Sequence, residues 1–228
     1  MSELPDNGLS TRRDFLTGLT VTAAGLVAAG CASGASTAAV APQPVTYVET
    51  TRGNFTMLKP SAWDDSWTGR LGRHRTVFDV SELEQEPGAY QVVPIMDNYK
   101  EALGVSDQEL GFVLVIRHAA MALAVKDAMW DKYNLGADMK QQDRTTSAPY
   151  KRNPLTSTIA ECQKRGVVLV GCNVAMNGFS NRVARKAGGD AKAIKAELFA
   201  NLHPGMIMLP TGLYALARAQ NVGCGYMK

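Results

Sequence analysis

"GVVLVGCNVAMNG", residues 166–178, is an apolar run that ends on a cysteine and turns at once into a polar, glycine-punctuated stretch. Residues 167–172 are apolar on both alternating faces and of strand length, as expected of a strand covered by helices on each side of a parallel sheet. The polar residues that follow read as the start of a helix. In open α/β sheets, ligands bind beyond the carboxyl ends of the strands. Cys172, at such an end, is therefore the first candidate for chemistry.

Strand and helix signals alternate around this run. Residues 75–80 (RTVFDV) are a short β-branched stretch. Residues 90–104 show helical spacing at Ile95, Tyr99 and Leu103, and Pro94 predicts that the helix starts there, since proline suits a first turn. Residues 110–118 (LGFVLVIRH) predict a strand that leads into a helix over 119–133, apolar on most of its circumference. Residues 134–154 are a polar stretch with Gly136, Pro149 and Pro154, long enough to suit a lid or contact arm. Residues 155–166 predict a helix with Leu155, Ile159 and Cys162 on one face, which places Cys162 in the core.

Beyond the opening strand, a helical region with a break near Asn177 and Gly178 runs to about residue 188, and a second helix covers 191–202. Residues 205–220 give another strand and helix, and "VGCGYM" an edge strand. This βαβα order predicts an α/β fold, a three-layer α/β/α sandwich around a mainly parallel sheet.

The amino terminus points to a compartment. Residues 11–16 (TRRDFL) set Arg12 and Arg13 before an apolar segment, residues 16–29, with small residues onward to 41. This resembles a twin-arginine export signal, which carries folded proteins across the bacterial inner membrane. The segment contains glycine and threonine and is shorter than the roughly 20 residues of a stable span. A periplasmic location is expected. Two fates stay open: cleavage after Ala39, or lipid attachment at Cys31 in "VAAGC", which would tether the protein to a membrane face. The predicted organisation is a leader and small-residue linker over 1–41, an arm over 42–74 and an α/β domain over 75–228, one domain of fewer than 190 residues.

Composition excludes several functions. The net charge is +3, without a long basic run, so nucleic-acid binding and strong membrane attraction are not expected. No CxxC, HxxxH or carboxylate cluster supplies zinc ligands, and no CxxCH, GxxxxGK[ST] or GxSxG occurs, so neither metal nor cofactor is expected. Gly223 and Gly225 do not open a helix and make no dinucleotide fingerprint.

Cys162, Cys172 and Cys224 remain whatever happens to Cys31. Three is odd, so at least one thiol stays unpaired within a monomer in an oxidising compartment. If the last strand is parallel, Cys172 and Cys224 sit at opposite edges, about 17 Å apart, too far for a disulfide. Any internal disulfide would then join Cys162 to Cys224. A thiol at a helix amino end feels the dipole and free N–H groups there, which favour the thiolate. Asn173 is expected to cap that helix, and a role in binding the substrate is its other reading.

His118 falls on the same predicted edge and could donate to a thiolate or persulfide, and Arg117 could hold an anion such as a sulfur oxyanion. Trp63 and Trp67, four residues apart, are expected to pack on their own domain or a neighbouring subunit. Arg182, Arg185, Lys186, Lys192 and Lys195 read as a solvated face.

Residues 166–228 resemble the C-terminal half of DsrE/DsrF-like proteins, small α/β proteins of sulfur metabolism. The matching stretches are "GVVLVGCNVAMNG", "NLHPGMIMLPTGLYALARAQ" and the short closing strand, and "VLVIRHAAMALAVKDAMW" resembles the family's strand-to-helix turn. The likeness covers roughly residues 75–228. It implies a flavodoxin-like fold, homo-oligomers (trimers or hexamers), and a cysteine after the central strand that accepts sulfur as a persulfide from a donor protein and passes it to an acceptor. Cys172 falls at that position. A non-catalytic oligomeric scaffold or accessory binding subunit on the same fold is the other expectation.

Overall fold

The described chain opens with an antiparallel hairpin of β1 (Glu49–Arg52) and β2 (Phe55–Leu58). Five further strands, β3 (His74–Val80), β4 (Leu110–Ile116), β5 (Val168–Cys172), β6 (Ile207–Leu209) and β7 (Gly225–Met227), form a second sheet in the order β6-β5-β4-β3-β7. Every pair in it is parallel. This computed structural model describes residues 49–52, 55–58, 64–83 and 87–228, all within the unit Pro44–Lys228. The twin-arginine leader, Cys31 and Trp63 lie outside the described residues.

Parallel strands need crossovers, and these are right-handed. From β3 to β6 the chain steps in one direction across the sheet, which puts the intervening helices on one face. It then reverses to place β7 beyond β3, which puts the last helix on the other face. The helices of the first face are α1 (Pro87–Leu103), α2 (Asp127–Lys132), α3 (Leu135–Asp138), α4 (Thr156–Lys164), α5 (Asn173–Ala187) and α6 (Ala191–Ala200); α7 (Gly212–Asn221) covers the second. Strand alternation sorts the core accordingly. Phe78, Phe112, Leu114, Ile116 and Leu169 pack under the thick layer. Val77, Val113, Val115, Val170 and Leu209 pack against α7 and against Trp67, which a 3₁₀ turn over Ser66–Arg70 brings onto the sheet. The expected three-layer α/β/α sandwich is thus present, with one thin layer that Trp67, fully buried, helps to complete.

Three elements differ from their sequence reading. Helix α1 begins at Pro87 and runs through Pro94. The proline forfeits a bond to the Tyr90 carbonyl, but Tyr90 and Pro94 are exposed, so water can serve that group, while buried Ala89, Val92 and Met96 hold the helix to the sheet. Residues 119–133 are not one helix. A 3₁₀ stretch over His118–Ala124 and an extended Val125 precede α2. Residues 120–125 are wholly buried, and several of their carbonyls are met from outside the stretch, that of Ala124 by the His203 backbone N–H. Asn153 donates to Leu123 and Val125 at 2.8 Å each, and Trp130 to Ala122 at 2.9 Å. Helix α5 continues without a break through Asn177 and Gly178.

Residues 134–154 are pinned rather than free. Gly136 lies against the backbone of Tyr150 too closely for any β-carbon, Gln142 bridges Pro149, and Asp143 caps the turn by accepting from Thr145 and Thr146. Among the described residues no helix is long and apolar enough to cross a membrane.

Candidate active site

Because β7 is parallel to β3, Cys224 enters at the amino edge of the sheet while Cys172 closes β5 at the carboxyl edge. Cys162 packs in the thick layer and Cys224 in the thin one, so the sheet stands between them. The conditional Cys162–Cys224 disulfide is therefore ruled out, and all three thiols are free. Burial pushes Cys162 up to about 11 and also raises Cys224, although nearby arginines pull both down. Both behave as small apolar groups.

Cys172 is placed differently. Its backbone is extended (φ −95°, ψ 112°), and its Sγ accepts the Ala175 N–H at 3.3 Å, which makes the cysteine itself the amino-terminal cap of α5. Asn173 is not the cap; it is the first helical residue, 2% exposed. It is also absent from the lining of the cavity that Cys172 faces. The N–H that meets the sulfur would equally meet a sulfur anion formed at that atom, thiolate or persulfide.

That cavity, about 520 Å³, runs along α5 from its first turn to its fourth. Cys172, Ala175, Phe179, Arg182 and Arg185 form one wall; Arg117, His118 and the amino end of α7 at Thr211–Leu213 form the other. Two helix amino termini thus open into one space; at α5 the Val174 N–H donates to the Pro210 carbonyl and the Ala175 N–H to Cys172 Sγ, and at α7 the Tyr214 N–H donates to Thr211 Oγ1.

Arg117 lines the site but is already engaged. Its Nε and one terminal nitrogen donate to Asp79 at 2.7 and 2.8 Å, and the Tyr226 hydroxyl donates to the same carboxylate at 2.7 Å. Burial pushes the Asp79 carboxyl up, but the hydrogen bonds from Arg117 and Tyr226 outweigh it and hold the pKa below the usual carboxylate range. The bond to Asp79 raises Arg117 further, and Cys172 lies within its electrostatic reach. Gly212 makes room for this arrangement, since a β-carbon there would stand 2.6 Å from that of Arg117.

His118 also reaches the cavity, at its rim. Its backbone is left-handed (φ 51°), its side chain is 69% exposed, and Nδ1 lies 2.9 Å from a Glu82 carboxylate oxygen. The sequence thus placed Arg117, His118 and Cys172 around one space and misplaced Asn173.

Sequence reasoning missed Asp79 and Tyr226, which are joined to Arg117 only through the sheet. It also read Arg182 as part of a solvated face, a reading that holds for exposed Arg185 but not for Arg182. Arg182 is half-buried, stacked over Phe179 with 5.8 Å from guanidinium to ring centre, and its Nε is buried without a partner. Burial and the neighbouring Arg185 lower its pKa, and no carboxylate among the described residues offsets them. The spacing Cys172, Ala175, Phe179, Arg182 follows one helical face and is the signal that could have found it.

Among the described residues no group of three or more histidine, cysteine, aspartate or glutamate side chains is arranged to hold a metal ion. The chain matches no family model, and no curated protein matches it in sequence.

Proposed function

We propose that this protein is an exported, homo-oligomeric DsrE-like sulfur carrier that relays sulfur as a persulfide on Cys172. The observation that carries this reading is the placement of Cys172: of the three cysteines in the described region, it alone caps a helix and faces a cavity with arginines. A thiolate there attacks the outer sulfur of a donor R–S–SH. The Cys172–sulfur bond forms, the donor S–S bond breaks, and R–S⁻ leaves, with no outside oxidant or reductant. The Ala175 N–H and the α5 terminus stabilise the anion, and His118 at the rim is placed to orient the incoming group.

Intact-mass measurement before and after polysulfide treatment, then after reduction, tests the proposal. A reducible gain of about 32 Da per sulfur, mapped to Cys172 and absent in Cys172→Ser, is expected. Loading that survives in Cys172→Ser, or an accessible Cys172 that takes no sulfur, would sink it.

A second reading, a non-catalytic oligomeric scaffold, is favoured by the 6% exposure of Cys172. It predicts labelling of Cys172 by a thiol reagent only after denaturation, with the exposed residues 144–149 as part of its working surface.

A further inference from the structure

The arginines of the cavity are unequal. Arg117 has its charge matched by Asp79, whereas Arg182 and Arg185 have no carboxylate partner among the described residues, and the Arg182 Nε is buried with none of any kind. A half-buried guanidinium keeps its charge. Without a counter-ion it carries an uncompensated cost, which an anionic ligand would remove. Among the described residues Arg182 holds no other element in place through a hydrogen bond.

The position of Arg182 limits what that anion is. Its guanidinium sits over Phe179, seven residues beyond Cys172, which is about 10 Å along a helix axis. The wall between the thiol and the guanidinium is apolar, built from Val174, Ala175 and Phe179, with Leu213 opposite. A ligand touching both ends therefore needs sulfur at one end, negative charge at the other and carbon between. Compact inorganic anions meet the charge requirement but leave the apolar middle and most of the 520 Å³ unfilled.

We propose, building on the relay reading of Cys172, that Arg182, assisted by Arg185, binds the carboxylate of a small organic persulfide whose outer sulfur is delivered to Cys172. The carboxylate pairs with the guanidinium, the hydrocarbon chain lies on Ala175 and Phe179, and the persulfide reaches the α5 terminus. Transfer follows the displacement given above: the outer sulfur joins Cys172 and the carboxylate-bearing thiolate departs.

Binding and transfer are tested separately. 4-(Methylthio)butyrate, which cannot donate sulfur, is titrated by NMR into the full protein, with its neutral amide as control. We expect the acid to bind the native protein and Cys172→Ser alike, the amide at least tenfold more weakly, and Arg182→Gln to lose the acid about tenfold while Arg182→Lys keeps part of it. Equal binding by native protein and Arg182→Gln, or no binding at all, overturns the subsite.

In the second measurement Cys172 is loaded from the persulfide of 4-mercaptobutyrate or from thiosulfate. Arg182→Gln should slow the organic donor about tenfold and leave the inorganic one unchanged. Faster loading from thiosulfate with the same Arg182 dependence overturns the organic assignment. Arg182-dependent binding with no loading from any donor would uphold the subsite and refute the relay.

Discussion

The two edges of the sheet use the same residue types to opposite ends. At the amino edge two arginines are bonded within the fold: Arg165, 8% exposed at its side chain, reaches Asp97 at 2.6 Å and Asp107 at 2.9 Å, and Arg75 donates to the carbonyls of Gly72 and Val222. The thiol there, Cys224, is one more buried apolar group. At the carboxyl edge Arg182 has no carboxylate partner among the described residues, and the thiol caps a helix beside open space. Where a fold leaves a half-buried cation without a partner, a ligand is the economical explanation. Where it pairs one, stability is.

The comparison can be broken most sharply through the cysteines. Cys172→Ser should abolish sulfur uptake, whereas Cys162→Ser and Cys224→Ser should retain it fully, as intact mass after polysulfide exposure will show. Uptake that follows Cys224 instead would invert the assignment of the two edges.

Asp79→Ala comes next. The Asp79 side chain is 1% exposed and answers Arg117, which is itself 21% exposed, so its removal leaves a partly buried cation unmatched. A loss of about 2–3 kcal/mol in denaturant unfolding is expected, discounted from a fully buried pair for that exposure. Because the Asp79 pKa is depressed, the stability it provides is present above the unfolded value near 4 and is lost as pH falls through the folded one.

At the amino edge, Arg165→Leu should cost about 1–2 kcal/mol, since Asp97 is largely exposed and can return to water. It should leave sulfur uptake unchanged. A drop in uptake without loss of stability would show that the edges are not independent.

The smallest expected effect lies beneath both edges, at His203. Its ring Nε2 is 3.1 Å from the Leu123 carbonyl. Both Asn153 amide hydrogens already serve the carbonyls of Leu123 and Val125, so the Nε2 hydrogen is donated and the neutral ring carries it there. Burial pushes this imidazole below its usual value. The unfolded chain therefore takes up a proton near pH 6.5 that the folded chain resists, and stability declines as pH falls below that point. His203→Gln should flatten the decline between pH 6.5 and 5 in thermal melts.

Much of the architecture was legible because continuous apolar runs such as residues 110–116 and 167–172 leave a strand few alternatives. The edge that holds Cys172 followed from chain direction alone. Pro94 misled because local propensity favours a helix start, while Ala89, Val92 and Met96 bury enough surface to carry the helix through it. The 3₁₀ run from His118 was invisible because the carbonyls of Leu123 and Val125 at its end depend on Asn153, 28 to 30 residues away. Asp79 and Tyr226 join Arg117 across separations of 38 and more residues, which no local spacing announces. Arg182 was legible in principle but hidden among neighbouring basic residues.

Strand β7, which supplies Tyr226 to Asp79, follows every other described element in chain order yet pairs with β3, the first strand of the sheet. During synthesis the Arg117–Asp79 pair can form early, but its third partner arrives only when the final crossover has closed. The charge balance around Asp79 is therefore complete only once the last strand has paired with the first strand of its sheet.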